Sequence, residues 1–100
     1  MQGIYKITNI KNQKCYIGQS KDIELREKTH FKDLSEGKHH SHKFQEDFDR
    51  YGINSFKFEI LEIINDTDLL SFCERYYIDK FNTVLDGYNI LLWSSIFVTL

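Results

Sequence analysis

Apolar and polar positions alternate most strictly along Phe56-Lys57-Phe58-Glu59-Ile60, which predicts a β-strand with one buried face. Two other runs, Tyr5 to Asn9 and Cys15 to Ile17, are rich in β-compatible residues. The stretch between them, Asn9 to Lys14, is polar and turn-prone, so the two runs predict an antiparallel hairpin. Side chains alternate faces along a strand. Tyr5 therefore shares a face with Gly3 and Ile7, and Tyr16 with Gly18, which predicts the two tyrosines side by side. Helical spacing governs the rest. Ser20 is the predicted N-cap of a helix over Lys21 to Leu34, with Asp22 and Glu24 in its first turn and a thin apolar stripe of Ile23, Phe31 and Leu34. Gly37 ends that segment, and Lys38 to His42 reads as a loop. Phe44, Phe48 and Tyr51 lie on one face of a second helix, Ser41 to Tyr51, stopped by Gly52. Asn65 to Asp68 is a cap cluster for a third helix ending near Phe81, and Asp86-Gly87 is a turn before Tyr88-Asn89-Ile90.

These elements divide the chain into one domain, residues 1–90, and an apolar tail, 91–100. The tail contains Trp93, Ile96 and Phe97 and is too short to span a bilayer; it is expected to cover the domain's own core or to meet a second copy. Composition is that of an ordinary soluble domain, with 41% hydrophobic and 28% charged residues. Cys15 and Cys73 sit in no disulfide framework and no metal-ligand spacing, so two buried, reduced thiols are expected. There is no signal-peptide pattern and no long apolar run, which makes an intracellular setting with no membrane partner the expectation. The net charge of −2 does not advertise a polyanion binder, yet ten of the thirteen Lys/Arg and all four histidines fall in residues 1–50. Any polyanion is expected to meet that half, and weakly, because few phosphates can be neutralised.

Three clusters carry chemistry. On the third helix Glu74 stands in the middle of the apolar stripe Leu70, Tyr77, Ile78 and Phe81. A charge buried there is costly unless it is paired, with Arg26 as the candidate partner, or binds a cation; Mg²⁺ suits a single carboxylate because it keeps several waters. Arg26 and His30 lie one turn apart beside the stripe of the first helix. Such a pair is common on solvated helices, but it is also what phosphodiester hydrolysis needs: a fork of donors for growing phosphorane charge, and an imidazole to orient water or move a proton. His39, His40 and His42 form a loop cluster with no partnering Cys/His array, so zinc is not favoured.

The triplets Gly3-Ile4-Tyr5 and Tyr16-Ile17-Gly18, the pair Arg26 and His30, the helix bearing Glu74, and the closing Gly87-Tyr88-Asn89 occur in one order. From Gly3 to Ile90 the chain resembles the GIY-YIG nuclease domain. The stretches Gly37 to His39, Phe44-Gln45, Phe48 to Gly52 and Phe56 to Glu62 are most similar to the phage and intron homing-endonuclease branch. The resemblance implies an α+β fold, a small three-stranded antiparallel sheet flanked by three or more helices, in agreement with the elements above. It implies a Mg²⁺-dependent endonuclease acting on double-stranded DNA, with Mn²⁺ as a substitute cofactor and a homodimer or an appended DNA-binding domain as further partners. It assigns roles to Tyr5, Tyr16, Gly18, Arg26, His30, His39, Glu74 and Asn89. Tyr5 would be the general base, its hydroxyl pKa lowered by Arg26 or a cation, and Glu74 the ligand of a single metal. Arg26 would stabilise the pentacovalent phosphate, Tyr16 and His30 would position water and phosphate, and His39 would stand near the scissile phosphate. Asn89 would hold Glu74 or Tyr5, and Gly18 would let backbone approach the phosphate. Ser41 stands where many relatives have Asn. The alternative is a catalytically silent binding module of the same fold, against which the intact set Tyr5, Arg26, His30 and Glu74 argues.

Overall fold

The computed structural model describes residues 1–90, and within them the chain forms an α+β fold: one three-stranded antiparallel sheet, four α-helices and two short 3₁₀ turns. The tail expected at 91–100 lies outside the described residues. Strand β1 (Gly3–Asn9) is central, flanked by β2 (Cys15–Ser20) and β3 (Phe56–Ile63). The helices are α1 (Ile23–Ser35), α2 (His42–Tyr51), α3 (Leu70–Phe81) and α4 (Thr83–Asp86). Helix α4 was not anticipated, because one turn is too short to show a period.

Asparagine chemistry makes the hairpin turn. The side-chain oxygens of Asn9 and Asn12 each accept from the backbone N–H two residues on, at Lys11 and Lys14, both at 3.0 Å. Gln13 takes a left-handed φ of 66° between them. The resulting register sets Tyr5 opposite Gly18 and Ile7 opposite Tyr16. The tyrosines are therefore diagonal rather than direct neighbours, with stacked rings whose centroids lie 6.5 Å apart.

Strand β3 runs past the predicted Ile60 to Ile63. Tyr5 opposes Ile60 while Ile4 opposes Glu62, so Leu61 is an extra residue in a bulge. Phe56 and Phe58 pack on one layer and Leu61 on the other, which replaces the single buried face expected of this strand. The first layer joins Tyr5, Ile7 and Tyr16 to Ile23 and Leu34 of α1, Phe44 and Phe48 of α2, and Tyr88. The second joins Ile4 and Ile17 to Ile64 and to the α3 stripe of Leu70, Cys73, Tyr77, Ile78 and Phe81.

The N-cap of α1 is Asp22, not Ser20. Its carboxylate accepts from the Leu25 N–H at 3.1 Å, while Ser20 Oγ accepts from the Asp22 N–H at 2.9 Å. A charged cap facing the positive end of the helix outcompetes the hydroxyl two residues earlier. Ser41, the predicted first residue of the second helix, is instead its N-cap, its hydroxyl accepting from the Phe44 N–H, and Gly52 ends α2 as expected with a φ of 83°, a conformation that favours glycine. Both thiols are free, but only Cys15 is buried; Cys73 is half-buried at the edge of the second layer. Among the described residues no helix is long and apolar enough to cross a membrane.

Candidate active site

The face of the sheet that carries Tyr5 and Tyr16 meets α1 and the loop before α2, and there a line of polar side chains is buried. Tyr5 Oη lies 2.5 Å from Nε2 of His30, and His30 Nδ1 lies 2.8 Å from Nε2 of His39. His39 Nδ1 accepts from the backbone N–H of Ser41 at 3.0 Å. Burial lowers the pKa of both histidines, His30 to about 3 and His39 to about 4, with the neighbouring imidazoles acting in the same direction. Both rings are therefore neutral at pH 7. Burial also pushes the Tyr5 hydroxyl up to about 12, against the opposing pull of the Arg26 guanidinium beside it. A lowered tyrosine pKa was the expectation; in this structure desolvation outweighs the arginine.

Arg26 occupies an exposed position one turn before His30, so it presents its charge from the solvent side while His30 is buried. Tyr16 Oη lies 3.3 Å from His40 Nε2, and the His40 ring stacks on His39 with centroids 4.5 Å apart. Glu74 comes from the other layer. It is half-buried and burial raises its pKa, with Gln19 and Arg26 pulling the other way. Its Oε1 accepts from the Gln19 amide at 3.4 Å, and among the described residues it forms no ion pair. The candidate salt bridge to Arg26 is thus not formed. The two groups sit on helices that pack on opposite faces of the sheet, and their charges interact without contact. The negative charge of Glu74 also acts on both tyrosine hydroxyls.

The fold brings Tyr5, Tyr16, Arg26, His30, His39 and Glu74 into one neighbourhood but gives two residues other work. Gly18 faces the Tyr5 ring, and a Cβ at that position would overlap it. Its smallness makes room for the tyrosine, which is a different reason from backbone approach to a phosphate. Asn89 holds neither Glu74 nor Tyr5. Its side chain accepts from the Ile17 N–H at 2.8 Å and donates to the Ile17 carbonyl at 2.9 Å, filling the place of a neighbouring strand on the outer edge of β2. An amide has one donor and one acceptor side by side, which matches one residue of open strand edge. Tyr88 next to it is also structural: its hydroxyl donates to Asp47 at 2.6 Å and accepts from Asn9 at 3.1 Å. The residues that sequence reasoning passed over are His40, Gln19 and the Ser41 amide. His40 was visible only as one of the three histidines of the loop, His39, His40 and His42. Gln19 and a main-chain N–H carry no sequence signal at all.

A hairpin of paired tyrosines, a layer of neutral histidines and a carboxylate delivered from a second layer define a family. The chain belongs to it: residues 1–89 match the GIY-YIG catalytic domain. The chain is 46% identical over 89 residues to intron-associated endonuclease 1 of Enterobacteria phage T4, a match that covers 88% of this chain and 36% of that protein. The fold resembles the catalytic domain of the homing endonuclease I-TevI with a TM-score of 0.86 and 43% identity, covering 92% of this chain and all of that one. A mutant of the same I-TevI catalytic domain matches at a TM-score of 0.84 and 44% identity, over 90% of this chain and 93% of that one.

Proposed function

We propose that this chain is the cleavage domain of a DNA endonuclease that hydrolyses phosphodiester bonds in double-stranded DNA with one divalent cation and Tyr5 as general base. The observation that carries the reading is the convergence on one hydroxyl: His30 bonds Tyr5, Arg26 stands beside it, and the Glu74 charge faces it from the other layer. The endonuclease names of the relatives at 46% and 43% identity support the same chemistry.

The donor set fits Mg²⁺ rather than Zn²⁺. Glu74 is a half-buried carboxylate that accepts hydrogen bonds from Gln19 and forms no ion pair among the described residues, and those residues contain no group of three or more ligating side chains. Such a single anchor suits a hard cation that keeps most of its waters, and Mn²⁺ would substitute. When bound there, the cation would polarise the phosphate and stabilise charge on the leaving 3′ oxygen. The chain's own residues do the rest. As the phenolate, its own proton having first passed to solvent, Tyr5 accepts the proton of the attacking water, with Arg26 as the resident positive charge that favours this ionised form. Arg26 then serves the pentacovalent phosphate, where a planar fork of donors matches the oxygens. Tyr16, held near His40, positions the phosphate.

Target selection is assigned elsewhere. The chain spans 36% of the length of the phage relative, and its own charge of −2 allows only weak, sequence-tolerant DNA binding with a shallow salt slope. Two visits by a monomer, or a dimer, would make a double-strand break. Relaxation of supercoiled plasmid with and without Mg²⁺ tests the reading. Metal-dependent nicking is expected, with Tyr5→Phe and Arg26→Ala lowering kcat by about 100-fold while binding stays within a few-fold. A protein that binds plasmid but never cuts it, whatever the cation, would overturn the proposal in favour of a binding module.

A further inference from the structure

The buried line from Ser41 to Tyr5 has a direction. A backbone N–H only donates, so the 3.0 Å bond from Ser41 makes His39 Nδ1 an acceptor. Ser41 itself is anchored: its Oγ donates to the Tyr88 carbonyl at 2.5 Å and accepts from the Phe44 N–H at 3.3 Å. A neutral imidazole carries one proton, so that of His39 is on Nε2. Nε2 faces His30 Nδ1 at 2.8 Å and must donate to it. His30, also neutral, then carries its proton on Nε2, which faces Tyr5 Oη at 2.5 Å.

We infer that the Ser41 amide sets the polarity of a hydrogen-bond chain through His39 and His30, so that the Tyr5 oxygen is an acceptor from His30 and the Tyr5 proton is kept for an acceptor other than His30. The role of His39 is to position: it acts on Tyr5 only through the tautomer of His30. The order excludes the reverse arrangement, in which His30 would take the proton of Tyr5. It places two donors, the His30 Nε2–H and the Arg26 guanidinium, where a phenolate at Tyr5 would need them. The tautomer assignment stands on the hydrogen-bond geometry and the neutrality of the two rings; its consequence for catalysis rests on the reading of Tyr5 as the base.

Long-range ¹H–¹⁵N spectra of the intact chain, labelled at histidine, read the tautomers directly at pH 7 and need no DNA cleavage. The Nε2–H form is expected at both His30 and His39; the Nδ1–H form at either would overturn the inference. Two substitutions test the consequence. In His39→Gln a side-chain amide still offers an N–H to His30. In His39→Glu the carboxylate can only accept and draws the His30 proton to Nδ1. The Glu variant is expected to switch the His30 signal to Nδ1–H or to the protonated ring and to lose about 100-fold in kcat with KM little changed, while the Gln variant stays within about 10-fold of the parent. A Glu variant as active as the parent, or an unchanged His30 tautomer in it, would overturn the proposed polarity. If no nuclease activity is found at all, the function proposed above fails and the spectra still decide the tautomers.

Discussion

The two faces of one sheet are built on different terms. On the α1/α2 side the core is aromatic and polar: Tyr5, Tyr16, Phe44 and Tyr88 pack around His30 and His39, and the buried nitrogens are satisfied in series. On the α3 side the core is mainly aliphatic, built on Ile4, Ile17, Ile64 and Leu70, and the conspicuous charge at its margin is Glu74. A satisfied polar chain fixes positions, since each member has one partner and one distance. A carboxylate at the edge of an apolar layer does the opposite: its raised pKa marks a charge that the fold holds at a cost. The division teaches that Tyr5, the proposed base, and Glu74, the proposed metal ligand, are held by different layers of one sheet.

Removing Glu74 should make the sharpest break. Glu74→Ala is expected to lower plasmid nicking by about 1000-fold or more, as the loss of the proposed metal ligand would, while the melting temperature stays level or rises because a partly buried charge without an ion-pair partner among the described residues has been deleted. Nicking assays and thermal melts on one preparation check both halves. Retained Mg²⁺-dependent cutting would remove Glu74 from the site. The opposite pattern is expected on the first face. Gly18→Ala places a methyl group against the Tyr5 ring and should cost about 1–3 kcal/mol in urea unfolding, with activity falling because the ring is displaced.

The polar chain also makes stability depend on pH. Burial holds His30 at about 3 and His39 at about 4, below the ordinary value near 6.5 that applies when the chain is unfolded. Between those values the unfolded chain binds more protons than the folded one, so their contribution is fully present above about pH 6.5 and is lost as pH falls through the folded values. A melting temperature lower by more than about 5 °C at pH 4.5 than at pH 7 is expected, and the drop should shrink in a variant carrying both His30→Gln and His39→Gln. An equal drop in that variant would assign the acid sensitivity to other groups. The smallest effect is expected at the β2 edge. Asn89→Ala leaves the Ile17 N–H and carbonyl without their side-chain partner, at about 1–2 kcal/mol, with only a several-fold loss of rate. A loss as deep as that of Glu74→Ala would place Asn89 in the chemistry after all.

Local rules made much of this protein legible in its sequence. Alternation and helical spacing are properties of neighbouring residues, so the hairpin, Phe56 to Ile60, the faces of α2 and α3 and the helix-ending Gly52 could be read directly. So could the presence of Glu74 within an apolar stripe. Tertiary structure alone decided what those residues meet. The bulge at Leu61, which turns β3 toward both layers, depends on pairing with a strand about fifty residues away in the chain. The absence of a Glu74–Arg26 bridge depends on which face each helix covers. The work of Asn89 depends on β2 being an edge strand, and that of Gly18 on the register that sets it opposite Tyr5. The polarity of the histidine chain comes from a main-chain amide, a group every residue except proline carries, and only its placement beside His39 gives it a role.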